Sequence, residues 1–322
     1  RAKFSINIFG SARKEPSFTH VSNLYTPSTI DGCLSHDSSG VVPGIKTDDN
    51  EWAVAGHRDR LILVDAHALE LFAKAFDDED TPFDQARLPS LHAASLMAVL
   101  DRIQSWPKKI GDLKGQYTAT VMWDETNSQT DGTIKRETRF PKDAGEWILS
   151  GPHINIGNPI FQTPREGCNT HRAYDVIDLE TLPDSYLPRT NYVPACDAAE
   201  YHRRTPDVPW APGKKVTEFY RVCNREMVGS ASERTLIASL IPKKVGHPNT
   251  LVSSAFKTNR DLLTALSIFF VLPMDFFIKS TGKGHVNVGI QKSFPLLNPN
   301  PSIHLRTLSL NCLTTHYAEL WG

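Results

Sequence analysis

Residues 4–9 alternate apolar and polar side chains as a half-buried strand does, and the stretch to Asn50, rich in Ser, Thr, Pro and Gly, reads as loops. Residues 60–64 (RLILV) make an apolar run of strand length. Asp65 then stands where it can cap a helix through Phe76, with Leu69, Phe72 and Phe76 on one face. A second helix is expected from Ser90 to Trp106, where Leu91, Met97, Leu100 and Ile103 recur at near-helical spacing. After a linker at 108–115, β-branched and aromatic content marks 116–123 as a strand. Polar turn residues fill 124–131 and a strand returns at 132–140, so a hairpin with a long tip is predicted. Residues 147–164 read as a strand broken at Gly151-Pro152 and again at Asn158-Pro159.

Periodicity fades beyond Asp178. Six prolines in 178–212 mark an extended crossing segment, and the aromatics in and near it (Tyr174, Tyr186, Tyr192, Tyr201, Trp210) imply packing against a neighbour. Residues 216–222 and 235–241 read as strands with a Gly229-Ser230 turn between them. A helix runs from Asn259 or Arg260 through Val271, 275–279 is a short apolar helix or strand, and 280–287 (STGKGHVN) is a glycine-bracketed loop. Leu305, Leu308, Cys312, Tyr317 and Leu320 place a helix at the C-terminus. The pattern predicts a mixed α/β (α+β) chain of short mixed sheets with several packed helices. It divides into an N-terminal support region at 1–170, a Pro-rich crossing segment at 171–213 and a C-terminal domain at 214–322.

Composition adds little to this picture. With 322 residues, 40% hydrophobic and 22% charged, the chain reads as an ordinary globular protein. No apolar run approaches the ~20 residues of a membrane span; the nearest, 262–272, is interrupted by Thr264 and Ser267 and stopped by Pro273. The five cysteines (Cys33, Cys168, Cys196, Cys223, Cys312) are widely spaced and never in a C-x-x-C pair. They suggest neither a disulfide framework nor a zinc site, and they suit a reducing cytoplasm, the expected location. The chain opens at Arg1 with neither an initiator Met nor a signal peptide, as a piece of something longer would.

Charge changes the picture. Within 214–292 there are twelve Lys and Arg against five acids, while the whole chain has a formal charge of -1, so the remainder carries about −8. Segregation of this kind offers a surface to an anion, and a polyphosphate is its commonest partner; the alternative is a solvated face that binds nothing. Arg221, Arg225 and Arg234 flank the expected strands, Lys257 lies between them and the loop, and Lys279, Lys283, His285 and Asn287 cluster at the loop. Arg and Asn suit guanine and adenine edges, whereas Lys and loop N–H groups suit phosphates.

Catalytic motifs are largely excluded. The STGKGH loop fails the P-loop pattern, because Phe277 stands where the first Gly belongs and Gly284 replaces the Ser or Thr that would hold magnesium, which leaves a backbone-gripping loop or a plain turn. The acidic run at 77–80 lacks the Gly and spaced ligands of a calcium loop and reads as a solvated turn. Neither Pro183-Asp184 nor Pro206-Asp207 leads into the E-x-K of a magnesium nuclease, the twelve histidines show no H-E-x-x-H spacing, and no G-x-S-x-G elbow is present. Asn158-Pro159-Ile160-Phe161 resembles the Asn-Pro-Pro-Tyr/Phe signature of amino-group DNA methyltransferases, but its second Pro is Ile and no upstream Gly-rich loop offers a cofactor site. No catalytic residue, metal or bound cofactor is therefore assigned to this chain.

A wider resemblance enters at 232–241 (SERTLIASLI), Asn249-Thr250, 274–287 (MDFFIKSTGKGHVN) and Phe294-Pro295. In this order they resemble the target-recognition portion of large type IIG-like, adenine-specific DNA methyltransferases and their relatives in bacterial restriction-modification and phage defence. Residues 43–45, 122–126 (MWDET), 131–134 (DGTI) and 147–164 are similar to the same long enzymes beyond their catalytic domain. The resemblance implies a domain that selects the double-stranded DNA site for N6-adenine methylation. It also implies a catalytic domain before Arg1 in the parent chain, where S-adenosylmethionine would bind. By position it aligns Arg234, Lys279, Lys283, His285 and Asn287 with the DNA-facing segment. The expectation is DNA binding without autonomous catalysis; the rivals are a complete methyltransferase using residues 158–161 and a protein-interaction scaffold whose basic face docks an acidic partner.

Overall fold

A computed structural model describes residues 5–11, 14–77, 80–155, 157–170, 172–229 and 232–322. Phe4 of the first expected strand, Asp78 and Glu79 of the acidic run and Ser230 of the expected turn lie outside the described residues. The chain divides into two units, residues 1–105 and 106–322.

In the first unit, strand β1 (Phe18–His20) is followed by helix α1 (Ser28–Ser35), strand β2 (Ile62–Val64), helix α2 (Ala66–Phe76) and helix α3 (Ser95–Gln104). β1 and β2 pair antiparallel. Asp65 caps α2 as expected, its carboxylate accepting the Ala68 N–H at 2.9 Å, and Leu69, Phe72 and Phe76 are buried. Two expectations are corrected. The stretch 5–9 is not a strand but an exposed segment, with Ile8 94% exposed, so its alternation has no core to face. α3 starts at Ser95 and not at Ser90, because the Ala94 N–H is diverted to the Asp59 carbonyl at 2.7 Å.

The second unit contains β3 (Tyr117–Thr120), α4 (Glu125–Thr130), β4 (Ile134–Arg139), β5 (Gln162–Pro164), β6 (Tyr174–Val176), β7 (Thr190–Pro194) and α5 (Ala198–Arg204). It continues with β8 (Arg221–Arg225), β9 (Ala238–Ile241), β10 (Leu251–Phe256), α6 (Asn259–Phe270), α7 (Leu272–Thr281), α8 (Val288–Lys292), α9 (Pro301–Asn311) and α10 (Ala318–Trp321). A four-stranded sheet in the order β3-β10-β8-β9 is the scaffold, and β4–β7 and β5–β6 are two-stranded. All of these pairings are antiparallel; among the described residues parallel contact is confined to isolated bridges such as Ile148 with Gly246. The class is mixed α/β, as the pattern predicts.

The expected hairpin at 116–140 does not form. Asp124 accepts the Asn127 N–H at 2.8 Å, so the polar turn residues wind into α4, and β3 and β4 part to pair with β10 and β7. The boundaries expected at 170 and 213 do not coincide with the units, since these long-range pairings draw 116–139 and 190–194 into the unit that holds the C-terminal strands. β10 occupies a segment with no predicted strand. Its Ser253 and Ser254 interrupt the apolar run, yet both are buried, bonded to His247 (2.7 Å) and Gln291 (2.7 Å).

The core beneath the sheet is built on Trp147, Leu149, Ile154, Val245 and Leu251, all fully buried. α6 and α7 are apolar because they are packed inward, with Leu262 through Phe269 buried. They meet at a 65° bend, and no single helix among the described residues is long and apolar enough to cross a membrane.

Candidate nucleic-acid interface

Three of the eight expected DNA contacts are placed elsewhere. β8 is buried from Arg221 through Asn224, so the alternation that would set Arg221 on an outer face is absent. Its guanidinium is fully buried, donating to the Met122 Sδ at 3.1 Å and to the Val245 carbonyl. Burial lowers its pKa to about 10, which still leaves it charged at neutral pH. Arg234 is a clasp: its Nε lies 3.3 Å from the Asp275 carboxylate and its Nη2 donates to the Phe270 carbonyl at 3.2 Å. Lys257 is exposed, but it follows the last residue of β10, whereas Arg225 pairs with the first. A six-residue strand separates the two by about 20 Å.

The wider basic face is also partly neutralised from within. Lys214 pairs with Glu218 at 2.8 Å, Lys215 with Asp207 at 2.8 Å, and Lys243 with Glu319. The single continuous cationic surface expected of 214–292 is therefore corrected to one smaller corner.

That corner is built at the end of β8. Beyond Arg225 the chain pairs with the glycine loop: Met227 bridges His285 antiparallel, and the Val228 N–H donates to the Gly284 carbonyl at 2.9 Å. The loop starts where α7 stops at Gly282, whose φ of 64° is the left-handed conformation glycine adopts without strain. It ends where the Asn287 Oδ1 accepts the Ile290 N–H at 3.1 Å and caps α8.

A buried polar strut fixes the loop to the sheet. Asn224 donates to the Val286 carbonyl at 3.1 Å and accepts from Gln291, which in turn accepts from Ser254 at 2.7 Å. A second strut comes from Asp275. One of its oxygens accepts the N–H groups of both Thr235 and Leu236 at 2.7 Å, which ties the start of α7 to the ERTL segment. That pairing explains why the two motifs occur together: one carboxylate satisfies the backbone of the other.

The expected residues whose backbone lies at this corner are Arg225 at the end of β8, Lys279 in the last turn of α7, and Lys283, His285 and Asn287 in the loop. The Lys279 ammonium donates to the carbonyls of Ser232 (3.1 Å) and Glu233 (3.4 Å), and the His285 Nδ1 lies 2.7 Å from the Glu226 carboxylate. Because Asn287 spends its acceptor oxygen on the cap, it does not offer the paired donor and acceptor that read adenine. Arg225 differs from the rest. Its side chain is half-buried, burial lowers its pKa, and among the described residues its guanidinium has neither a hydrogen-bond nor an ion-pair partner.

No protein-family model and no curated protein matches the chain.

Asn158 is 3% exposed; its amide donates to the Leu310 carbonyl at 3.2 Å and accepts the Ile160 N–H at 3.0 Å, so neither end faces a substrate. Sequence reasoning missed a buried network in which Ser150 lies 3.1 Å from both His153 and Tyr174, and Asn191 donates to Tyr174 at 2.8 Å. Its Ser–His pair is buried, and burial drops the His153 pKa to about 4 while raising that of Tyr174 to about 12. Among the described residues no group of three or more His, Cys, Asp or Glu is arranged to hold a metal ion.

Proposed function

We propose that the chain is a duplex-DNA-binding, site-selecting module of an adenine-specific DNA methyltransferase, acting with a catalytic domain that supplies the S-adenosylmethionine site. The observation that carries the binding half of this reading is Arg225, a half-buried guanidinium with no partner among the described residues. A partly desolvated cation costs free energy unless an anion meets it, and phosphate is the anion that also suits Lys279 and Lys283. The methyltransferase half rests on the motif resemblance at 232–241 and 274–287, both of which border this corner.

Fluorescence anisotropy of a labelled duplex tests the reading. Arg225→Ala and Lys283→Ala are each expected to weaken binding to all duplexes and to flatten the plot of log K against log salt by about 0.9 for each phosphate no longer neutralised. Slopes equal to wild type would remove the corner from the DNA backbone. A protein-interaction module is the competing reading, favoured by the internal pairing of Lys214, Lys215 and Lys243. Failure of the chain to bind any duplex at low salt would select it.

A further inference from the structure

A second feature of the same unit owes nothing to the DNA reading. α9 packs beside α6, and between them and the C-terminal residues lies a groove of about 440 Å³. Leu305, Leu308, Pro301 and Trp321 wall it, with Arg260 and His304 as its polar lining. Leu305 is 56% exposed and Trp321 is 47% exposed, so the groove presents uncovered apolar surface.

The charge in this groove has one sign and one source. The Thr264 hydroxyl donates to the Arg260 carbonyl at 2.8 Å, so its proton is committed, and at 2.9 Å it must accept from the His304 Nε2–H. Burial, reinforced by the Arg260 charge, lowers the His304 pKa, and the imidazole is neutral at physiological pH. Among the described residues Arg260 is then the only charged group lining the groove, and its guanidinium has no hydrogen-bond or ion-pair partner there. The adjacent carboxylate, Asp261, is turned to the Thr258 hydroxyl at 2.7 Å and to its own helix cap.

We infer that this groove binds a small amphipathic anion, an aromatic or branched aliphatic body carrying one carboxylate, sulfonate or phosphate group. The body would lie against Trp321, Leu305 and Leu308, where removal from water drives association, and the acid group would meet Arg260 in a charge-assisted hydrogen bond. A bare phosphate chain fits poorly, since it would leave the apolar walls facing water. A neutral apolar molecule would gain the apolar contact but forgo the charge-assisted hydrogen bond.

Anilinonaphthalene sulfonate has this chemistry and fluoresces when bound. Titrated into the native chain, it is expected to bind at one saturable site with energy transfer from tryptophan, and Trp321→Phe should diminish that transfer. Arg260→Gln should weaken the sulfonate about tenfold, the scale of one charged hydrogen bond, while leaving the affinity for neutral phenylnaphthylamine unchanged. Leu305→Gln should weaken both. All three residues are exposed, so the urea midpoints of the variants should match wild type and loss of binding is not loss of fold. The inference is overturned if the sulfonate does not saturate, if Arg260→Gln binds it as tightly as wild type, or if energy transfer survives Trp321→Phe undiminished.

Discussion

Asp275→Ala is expected to destabilise the larger unit by about 2–6 kcal/mol, because two buried backbone N–H groups lose the acceptor they have among the described residues, at about 1–3 kcal/mol each. Thr235 and Leu236, which own those groups, are each 2% exposed, so water does not replace the carboxylate. The Arg234 side chain is 37% exposed and can rehydrate, so its loss of the ion pair adds little. Asp275→Asn discriminates between charge and acceptor. Both amides bond the same carboxylate oxygen, which asparagine retains, so its cost should be roughly half that of alanine, reflecting only the weaker neutral bond. Urea unfolding at constant m-value measures both; equal destabilisation by Asn and Ala would show that the clamp is the charge and not the oxygen. Loosening of the 232–236 segment should also reach the interface, since the Ser232 and Glu233 carbonyls hold Lys279.

The second large effect is acid sensitivity. His153 and His247 are both fully buried, and burial holds their pKa values at about 4 and about 3, against an ordinary 6.5. The buried Arg221 charge helps to lower that of His247. Each imidazole is held neutral: the His247 Nε2 accepts from Ser253 at 2.7 Å, and the His153 Nε2 donates to the Arg189 carbonyl at 2.8 Å. As pH falls below 6.5 the unfolded chain takes up protons that the folded chain refuses, so the stability present above 6.5 is lost progressively toward the folded-state values. From well above 6.5 down to about pH 5 the loss should be about 2 kcal/mol for each histidine, about 4 kcal/mol together. His153→Gln and His247→Gln should each remove about half of that pH dependence, whatever they do to stability at neutral pH. Urea midpoints flat across the interval, or variants with the wild-type slope, would refute it.

What could be read in the sequence was local. The Asp65 cap predicts α2, and the apolar run behind Arg260 predicts α6, because a helix is specified by residues three and four apart. The glycine loop was legible for the same reason: Gly282 ends a helix in the conformation only glycine takes easily. What escaped depends on partners far along the chain. The serines of β10 look like breaks until His247 and Gln291 satisfy them. Asp124 looks like a turn residue until α4 follows it. Arg221 and Arg234 look like surface cations until the Val245 and Phe270 carbonyls meet them.

The same distinction applies to the site. The loop residues 283–287 could be proposed from glycine spacing and charge, and they do gather at one corner. The Asn224–Gln291–Ser254 strut that holds them had no signal in the sequence, since an isolated Asn or Gln gives no sign of burial before its partners are known.

Hydrogen–deuterium exchange of the native chain with and without a duplex at low salt tests the central proposal most directly, because it reports where DNA sits and not only whether it binds. Slowed exchange confined to the paired segments 225–229 and 282–287 is the predicted outcome. Protection at the Lys257 end of β10 with none at those segments, or no protection anywhere under conditions that saturate binding, would contradict it.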